Sequence, residues 1–576
     1  MSIRSIAAAG LIALLPLPLP LLAQSVAGEP LRPENAKRAQ AETFRSPAAS
    51  AAPALHFQAL PAGRLAALQR HNAEQGKRLQ IGLVRRVADE AASRPPEPLW
   101  LPVPGGRVAR LDVISPGAAA LRVALDPRGL PPGAEIRVAS PELPVVELVR
   151  ASEARSQLDG AGLFWSPVTE GERQQIEVFV PGTAEPAGTV LRVAALSHLV
   201  ASPFRPLALA KSLGSSGSCN IDVACRTGSL GQAFINAKNA VARMVFSTSD
   251  GTFTCTGTLL NDTVAATQVP YFYSAAHCIS LQSEANTLTT FWNYETPTCG
   301  VASAGANTQL TGGADLLFAQ LSSDALLLRL RSTPPAGAFF AGWDAATLSP
   351  STQVIGIHHP SGDNKKYSRG NHSGFSSNIS IGGQNVTSVA RASWAEGTTE
   401  GGSSGSGLFT LNSGEYRLRG GLAGGAASCA NSGQSEAAGN VDYYSRFDQV
   451  FPSIRQWLDP TVGPTRNYSG NWFLPSESGW GIQVFDFPGQ LFVLFFVYDS
   501  AGRPAWYRMQ GPWTGVDTIT ATLERPSGPP WAAPYNAGGI VFTPVGSATL
   551  TFLSESQATL SFNDGIVNRT LTLTKI

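Results

Sequence analysis

Hydrophobic and polar positions alternate most cleanly near the end of the chain, in Ala548-Thr549-Leu550-Thr551-Phe552, Ala558-Thr559-Leu560-Ser561-Phe562 and Thr570-Leu571-Thr572-Leu573. A period of two puts every apolar side chain on one face of a strand, so these segments predict an antiparallel meander. The unbroken apolar run 491–498 predicts a strand buried on both faces, closed by a turn at 499–502. Trp472, Trp480, Trp506, Trp513 and Trp531 fall in the same tail, where core packing is their expected role. Further upstream, between about 100 and 200, short apolar runs such as 121–125 and 176–180 are separated by Pro and Gly, which predicts a small all-β unit. The Ala-, Arg- and Pro-rich stretch before about residue 95 carries only weak pattern. Ile454-Arg455-Gln456-Trp457-Leu458 reads as a short helix stopped by Asp459-Pro460.

The N-terminus has Arg4, an apolar stretch over 6–22, and small residues at Ser25 and Ala27, with Ala23 as a second cleavage candidate. That is the layout of a secretory signal over 1–27. Pro16, Pro18 and Pro20 interrupt the run and argue against a membrane span. A secreted, extracellular protein without a span is expected.

At 576 residues and 60.4 kDa the chain is too long for one ordinary core. Its 43% hydrophobic and 14% charged residues favour packed domains, and Gly and Pro at 58 and 42 favour short strands over long helices. The net charge of +1 leaves no electrostatic footprint for nucleic acid or an anionic membrane. All six Cys lie between 219 and 429, which in an exported chain reads as three disulfides within one domain. No CxxC or HExxH occurs, and His358 and His359, adjacent in a strand, face opposite sides, so no metal or cofactor is expected. These features divide the chain into a signal (1–27), a pro-region with the small β domain (28–211), the Cys-bearing domain (212–462) and a Trp-rich β domain (463–576). The Gly/Ser stretch 212–218 reads as linker.

Three motifs in the Cys-bearing domain carry chemistry. In Ala275-Ala276-His277-Cys278, small neighbours let a His ring reach a cleft. In Ser323-Asp324-Ala325-Leu326, an Asp leads into an apolar strand, a costly place for a carboxylate without a partner; Asp315 competes for the same role. In Gly401-Gly402-Ser403-Ser404-Gly405-Ser406, small residues permit a tight turn that exposes a hydroxyl and converges amide N–H groups, though the same composition also suits a flexible linker.

In the order His, Asp, Ser these motifs resemble the trypsin/chymotrypsin-like serine peptidases. More narrowly, residues 214–460 resemble the secreted bacterial lysyl endopeptidases, on Gly217-Ser218-Cys219-Asn220-Ile221-Asp222-Val223, Cys255-Thr256-Gly257, Ala276-His277-Cys278, Phe291-Trp292-Asn293-Tyr294, Ala341-Gly342-Trp343-Asp344, Ile357-His358-His359-Pro360, Thr399-Glu400, Gly402-Ser403-Ser404-Gly405-Ser406 and Trp457-Leu458-Asp459-Pro460. Phe164-Trp165-Ser166-Pro167 extends a looser likeness into the pro-region.

The resemblance implies a mainly β protein with a trypsin-like double barrel and disulfides Cys219–Cys429, Cys225–Cys299 and Cys255–Cys278. It implies Ser404 as nucleophile, His277 as base and Asp324, rather than Asp315, as its orienting partner, with the Gly402 and Ser404 amides as oxyanion hole. Asp442 aligns with the carboxylate that binds a substrate Lys, Glu436 being the fallback, and Gly424 and Gly425 would line the substrate backbone. Where the family has a His after the Leu of that strand, this chain has Ala423, which makes Arg the second candidate for the cleaved position. The acidic neighbour of the nucleophile in animal relatives is Ser403 here. The expected function is therefore a secreted serine endopeptidase acting on proteins or peptides, a monomer, with the pro-region as intramolecular chaperone and inhibitor. The rival expectation is a silent protease-fold binding or adhesion protein. The tail resembles β domains of exported bacterial proteins that carry the Trp472 to Gly481 signature, which names no function.

Overall fold

A computed structural model describes residues 25–35, 42–47, 52–74, 79–92, 95–182, 192–204, 215–264, 267–301, 305–460, 467–487, 490–499, 501–515, 517–530, 539–564 and 567–576. Residues 1–24 of the signal expected over 1–27, the bond between Lys211 and Ser212, and Trp531 lie outside them. The chain forms two compact units, Ser25–Leu458 and the residues from Asp459 onward.

In the first unit, the predicted runs 121–125 and 176–180 lie in the strands Ala120–Asp126 and Arg173–Pro181. Leu121, Val123 and Leu125 meet Ile176, Val178 and Val180 in one core, as the alternation requires. The weakly patterned stretch before residue 95 is more ordered than its sequence predicts, with a helix at Ala62–Glu74 and a strand at Leu79–Arg86. That strand is held from outside. It pairs with Arg192–Leu199 on one edge and, through Leu79, Gln80 and Gly82, with Thr252–Thr254 on the other. Its backbone groups are thus satisfied by partners far away in the chain, which local propensity does not report. Through this pairing the small β domain and the Cys-bearing domain share one 12-stranded sheet.

The Cys-bearing domain has two β layers. The first is a curved antiparallel sheet that includes Val241–Ser247, Thr252–Leu260, Tyr271–Ser274, Thr289–Trp292, Ala314–Gln320 and Ala325–Leu330. Met244, Phe246, Phe272, Trp292, Leu326 and Leu328 fill its interior. In the second, Gly407–Asn412, Gln353–His358, Lys366–Ile381, Gln384–Glu396 and Asp442–Ser445 follow one another, and Glu415–Gly425 pairs with both ends of that row and closes it into a barrel. The disulfides are Cys219–Cys429, Cys225–Cys299 and Cys255–Cys278. The helix Phe447–Leu458 starts earlier than its sequence pattern suggests and stops before Asp459-Pro460.

The second unit is a closed barrel whose strands, Gly470–Phe473 through Asn568–Lys575, follow chain order. Trp472 is buried against Phe552 inside it, whereas Trp506 is exposed. The run 491–498 is not buried on both faces. Leu491, Val493 and Phe495 point inward, while Phe496 and Tyr498 are exposed, because a barrel wall has only one dry side. No helix among the described residues is long and apolar enough to cross a membrane.

Asp262 is buried just beyond the strand Thr252–Leu260, and its Oδ1 accepts the Val264 N–H at 2.7 Å. Burial pushes its carboxyl up to about 7, against the Val264 hydrogen bond and with help from nearby Glu29. The folded state therefore keeps a proton that the unfolded chain releases near pH 4, so the group's contribution to stability is present below about pH 4 and lost as pH rises through 7. Asp262→Asn is expected to raise stability at pH 8 by about 1–4 kcal/mol in urea unfolding, with little change at pH 4. Equal urea midpoints for the two proteins at pH 8 would contradict this.

Candidate active site

His277 follows the strand Tyr271–Ser274, whose partner is Ala325–Leu330 with Ser274 opposite Leu326. That register brings Asp324, the residue before the partner strand, beside His277. The His277 N–H donates to Asp324 Oδ1 at 2.9 Å, and Nδ1 lies 2.8 Å from Oδ2. Since a carboxylate only accepts, this contact assigns the ring proton to Nδ1 and leaves Nε2 as the basic nitrogen. The ring is 18% exposed and the carboxylate 2%, so the imidazole reaches the cleft while its partner stays inside. Asp324 takes this position at φ +50°, a conformation that Asp tolerates better than most residues. Asp315 is engaged elsewhere, with Arg331 at 2.7 Å and Arg329 at 2.9 Å. Burial pushes its carboxyl up, but the two guanidiniums override this and hold it below the usual range.

The Gly/Ser stretch is a packed turn. Gly402 and Gly405 adopt φ +92° and +78°, and a Cβ on Gly402 would lie 2.9 Å from His359 O. Thr256 pins the turn twice, its N–H on Ser404 O (2.8 Å) and its Oγ1 on Gly402 O (2.9 Å). Ser403 Oγ meets His358 Nδ1 at 2.8 Å. The Ser404 hydroxyl is buried and makes no hydrogen bond, and among the described residues neither the Gly402 nor the Ser404 amide donates to a protein group. A Cβ on Gly405 would strike Ser274 Oγ, so the turn sits directly against the strand that leads to His277. A cleft of about 260 Å³ adjoins the site, lined by His277, Asp324, Leu321, Ile381, Val386 and Ala423.

Asp442 is fully buried in the second barrel. Its Oδ2 accepts from Trp394 Nε1 (2.8 Å) and Thr399 Oγ1 (2.6 Å), and Gly425, its strand partner, leaves no room for a Cβ beside Oδ1. Gly424 precedes it on the same strand, opposite Tyr443. Glu436 is only half-buried and faces Ser393 and Arg391. His358 and His359 are buried and separately engaged, His358 with Ser403 and Ser368, His359 with Asp363 O at 3.0 Å. Burial holds the His359 ring well below its ordinary pKa. One cluster of metal-type donors, Cys255, His277 and Cys278, has both sulfurs in a disulfide.

Sequence reasoning missed Glu400. Its Oε1 accepts the Gly217 N–H (2.9 Å) and Asn220 Nδ2 (2.8 Å), and its Oε2 accepts Ser361 Oγ (2.6 Å). Asp363 likewise takes the Ser216 N–H at 3.0 Å. These contacts anchor residues 216–220, part of them expected as linker, to the base of the Ser404 turn. Only the Thr399-Glu400 match pointed to the residue, and no local pattern marked its role.

A lysyl endopeptidase N-terminal domain matches residues 56–200, and a lysyl endopeptidase C-terminal domain matches 213–445. The lysyl endopeptidase of Pseudomonas aeruginosa is 36% identical over 433 residues, covering 72% of this chain and 89% of that one. Among solved structures, the active form of a protease from M. tuberculosis is 16% identical over 38% of this chain and 80% of its own, at a TM-score of 0.26. An HtrA-type protease with a tripeptide is 9% identical over 60% and 96%, at 0.28. With the two matched domains, the double-barrel topology and a relative of this identity and coverage, the chain belongs to the lysyl endopeptidase family and is a trypsin-like serine endopeptidase.

Proposed function

We propose that this peptidase is exported and cleaves after Lys, with Arg as a second accepted residue, through Ser404, His277 and Asp324. The reading is carried by the paired hydrogen bonds between His277 and Asp324 beside a turn that holds a serine hydroxyl and two uncommitted amides. His277 Nε2 takes the Ser404 proton as Oγ attacks the peptide carbonyl, and Asp324 holds the imidazole in the required tautomer and stabilises the imidazolium. The Gly402 and Ser404 N–H groups receive the oxyanion. His277 then protonates the leaving amine, and water releases the acyl-enzyme by the same route in reverse. Asp442 receives the substrate cation, with Gly424 and Gly425 lying along the substrate backbone. Residues 28–211 act as a removable pro-region that assists folding, cut between Lys211 and Ser212 by the enzyme's own specificity. The shared sheet with Thr252–Leu260 supports this reading, since the pro-region supplies a strand to the first barrel.

Ser404→Ala is expected to abolish labelling by a serine-directed fluorophosphonate and to cut hydrolysis of a Lys peptide amide roughly 10⁴-fold or more. Labelling that persists in the variant would move the nucleophile elsewhere. Asp442→Asn is expected to lower kcat/KM for Lys and Arg amides by roughly 100- to 1,000-fold, because an unpaired buried cation is costly. It should affect an uncharged analogue far less; an equal loss on both would remove Asp442 from cation recognition. Gly402→Ala should lower kcat roughly 100-fold with a smaller change in KM, the signature of a displaced oxyanion donor. An unaltered kcat would argue against that turn as the oxyanion site.

A further inference from the structure

Ahead of the small β domain, residues 25–32 run as an extended strap across the Cys-bearing domain. Ser25 and Val26 pair with Asp344 and Trp343, and Glu29 and Pro30 pair with Phe340 and Phe339. The Leu31 N–H donates to Ala338 O at 3.0 Å, and the Leu31 side chain, 8% exposed, joins the core around Phe272, Leu330 and Phe340. Asn261 Nδ2 donates to Ala27 O and Gln268 Nε2 to Pro30 O, both at 2.9 Å, while Gln268 Oε1 accepts the Arg32 N–H. Arg417 of the second barrel reaches Ser25 Oγ at 2.9 Å. Asn261 and Gln268 flank strands of the first barrel, so the strap touches both. The groove admits backbone at close range: a Cβ on Gly342 would lie 2.5 Å from Val26 O and 2.8 Å from Gly28 N.

The small β domain docks on other surfaces of the same domain. It uses the Thr252–Thr254 edge, the Gln309 side chain (Val168 N–H to Oε1, 2.9 Å) and Asn286 (Nδ2 to Leu158 O, 2.7 Å). Taking it away therefore leaves the strap's groove, clamps and core pocket in place.

We propose that residues 25–32, unlike the rest of the pro-region, are a lasting component of the peptidase unit, a strand-adding segment that stays in its groove as a separate peptide once the chain is cut between it and the Cys-bearing domain. Main-chain pairing supplies the affinity, and Leu31 in a core pocket supplies the anchor, as in other strand-addition complexes. Escape would open the first barrel's core to water. Removal of the leader after Ala23 keeps the strap whole, whereas removal after Ala27 deletes both pairs made by Ser25 and Val26.

This proposal does not depend on the chain's own activity. The full chain carrying Ser404→Ala can be nicked briefly with added trypsin and passed through gel filtration under native conditions. Mass spectrometry of the peak that contains residues 215–458 is expected to find a peptide spanning 25–32 in equal amount. A peak with native near-ultraviolet circular dichroism that lacks the peptide overturns the proposal. The double variant Asn261→Ala/Gln268→Ala removes side-chain clamps but spares Leu31, and is expected to speed loss of the peptide about tenfold or more. An unchanged rate of loss would also overturn it.

Discussion

Burying the Asp324 carboxylate is tolerable only because both oxygens are met by one neighbour, Oδ1 by the His277 amide and Oδ2 by its ring. Much of the first barrel is arranged around that contact. The register of Tyr271–Ser274 against Ala325–Leu330 sets the two residues side by side, and a residue at φ +50° turns the carboxylate inward. The Cys255–Cys278 bond ties the loop after His277 to the Thr252–Leu260 strand. That same strand supplies Thr256, which holds the Ser404 turn at two points. One strand therefore coordinates the His277 loop and the Ser404 turn, although each lies in a different part of the chain.

The second constraint is how the Ser404 turn is supported without an acidic residue next to the serine. Ser403 is spent on His358, and Glu400 takes over the anchoring by gripping the Gly217 amide and the Asn220 side chain. The grip uses an internal amide, so the turn is supported without a charged chain end at that position. The edge of the Thr252–Leu260 strand is meanwhile extended by the small β domain, and the strap pairs with Phe339–Phe340 and Trp343–Asp344. Three segments remote in sequence thus complete a domain whose His277, Asp324 and Ser404 come from the middle of the chain.

Strands with clear alternation were legible where one face is wet, as at 548–552 and 558–562. Legibility failed where both readings of an apolar run were open. The run 491–498 looks like a two-sided core strand, yet Phe496 and Tyr498 face out because the barrel already has its interior from Leu491, Val493 and Phe495. It failed again at 79–86, where polar residues and Gly join a strand because neighbours on both edges offer hydrogen bonds. For the site, the His277, Asp324 and Ser404 motifs stood out by their small or apolar surroundings, and the family likeness favoured Asp324 over the competing Asp315. Glu400 and Thr256 could not, since an acid or a hydroxyl acting across more than a hundred residues leaves no periodic trace.

Residue types and their spacing were enough to single out His277, Asp324 and Ser404 as candidates, to give the β character of each domain and, with the family likeness, the pairing of the six cysteines. Choosing between Asp315 and Asp324 by physical contact, converting a glycine-rich stretch from flexible linker to rigid turn, and recruiting 25–32 into the barrels all required the folded chain. Each depends on long-range backbone pairing and on the cost of leaving a buried polar group unmet, and those terms exist only once distant segments are brought together.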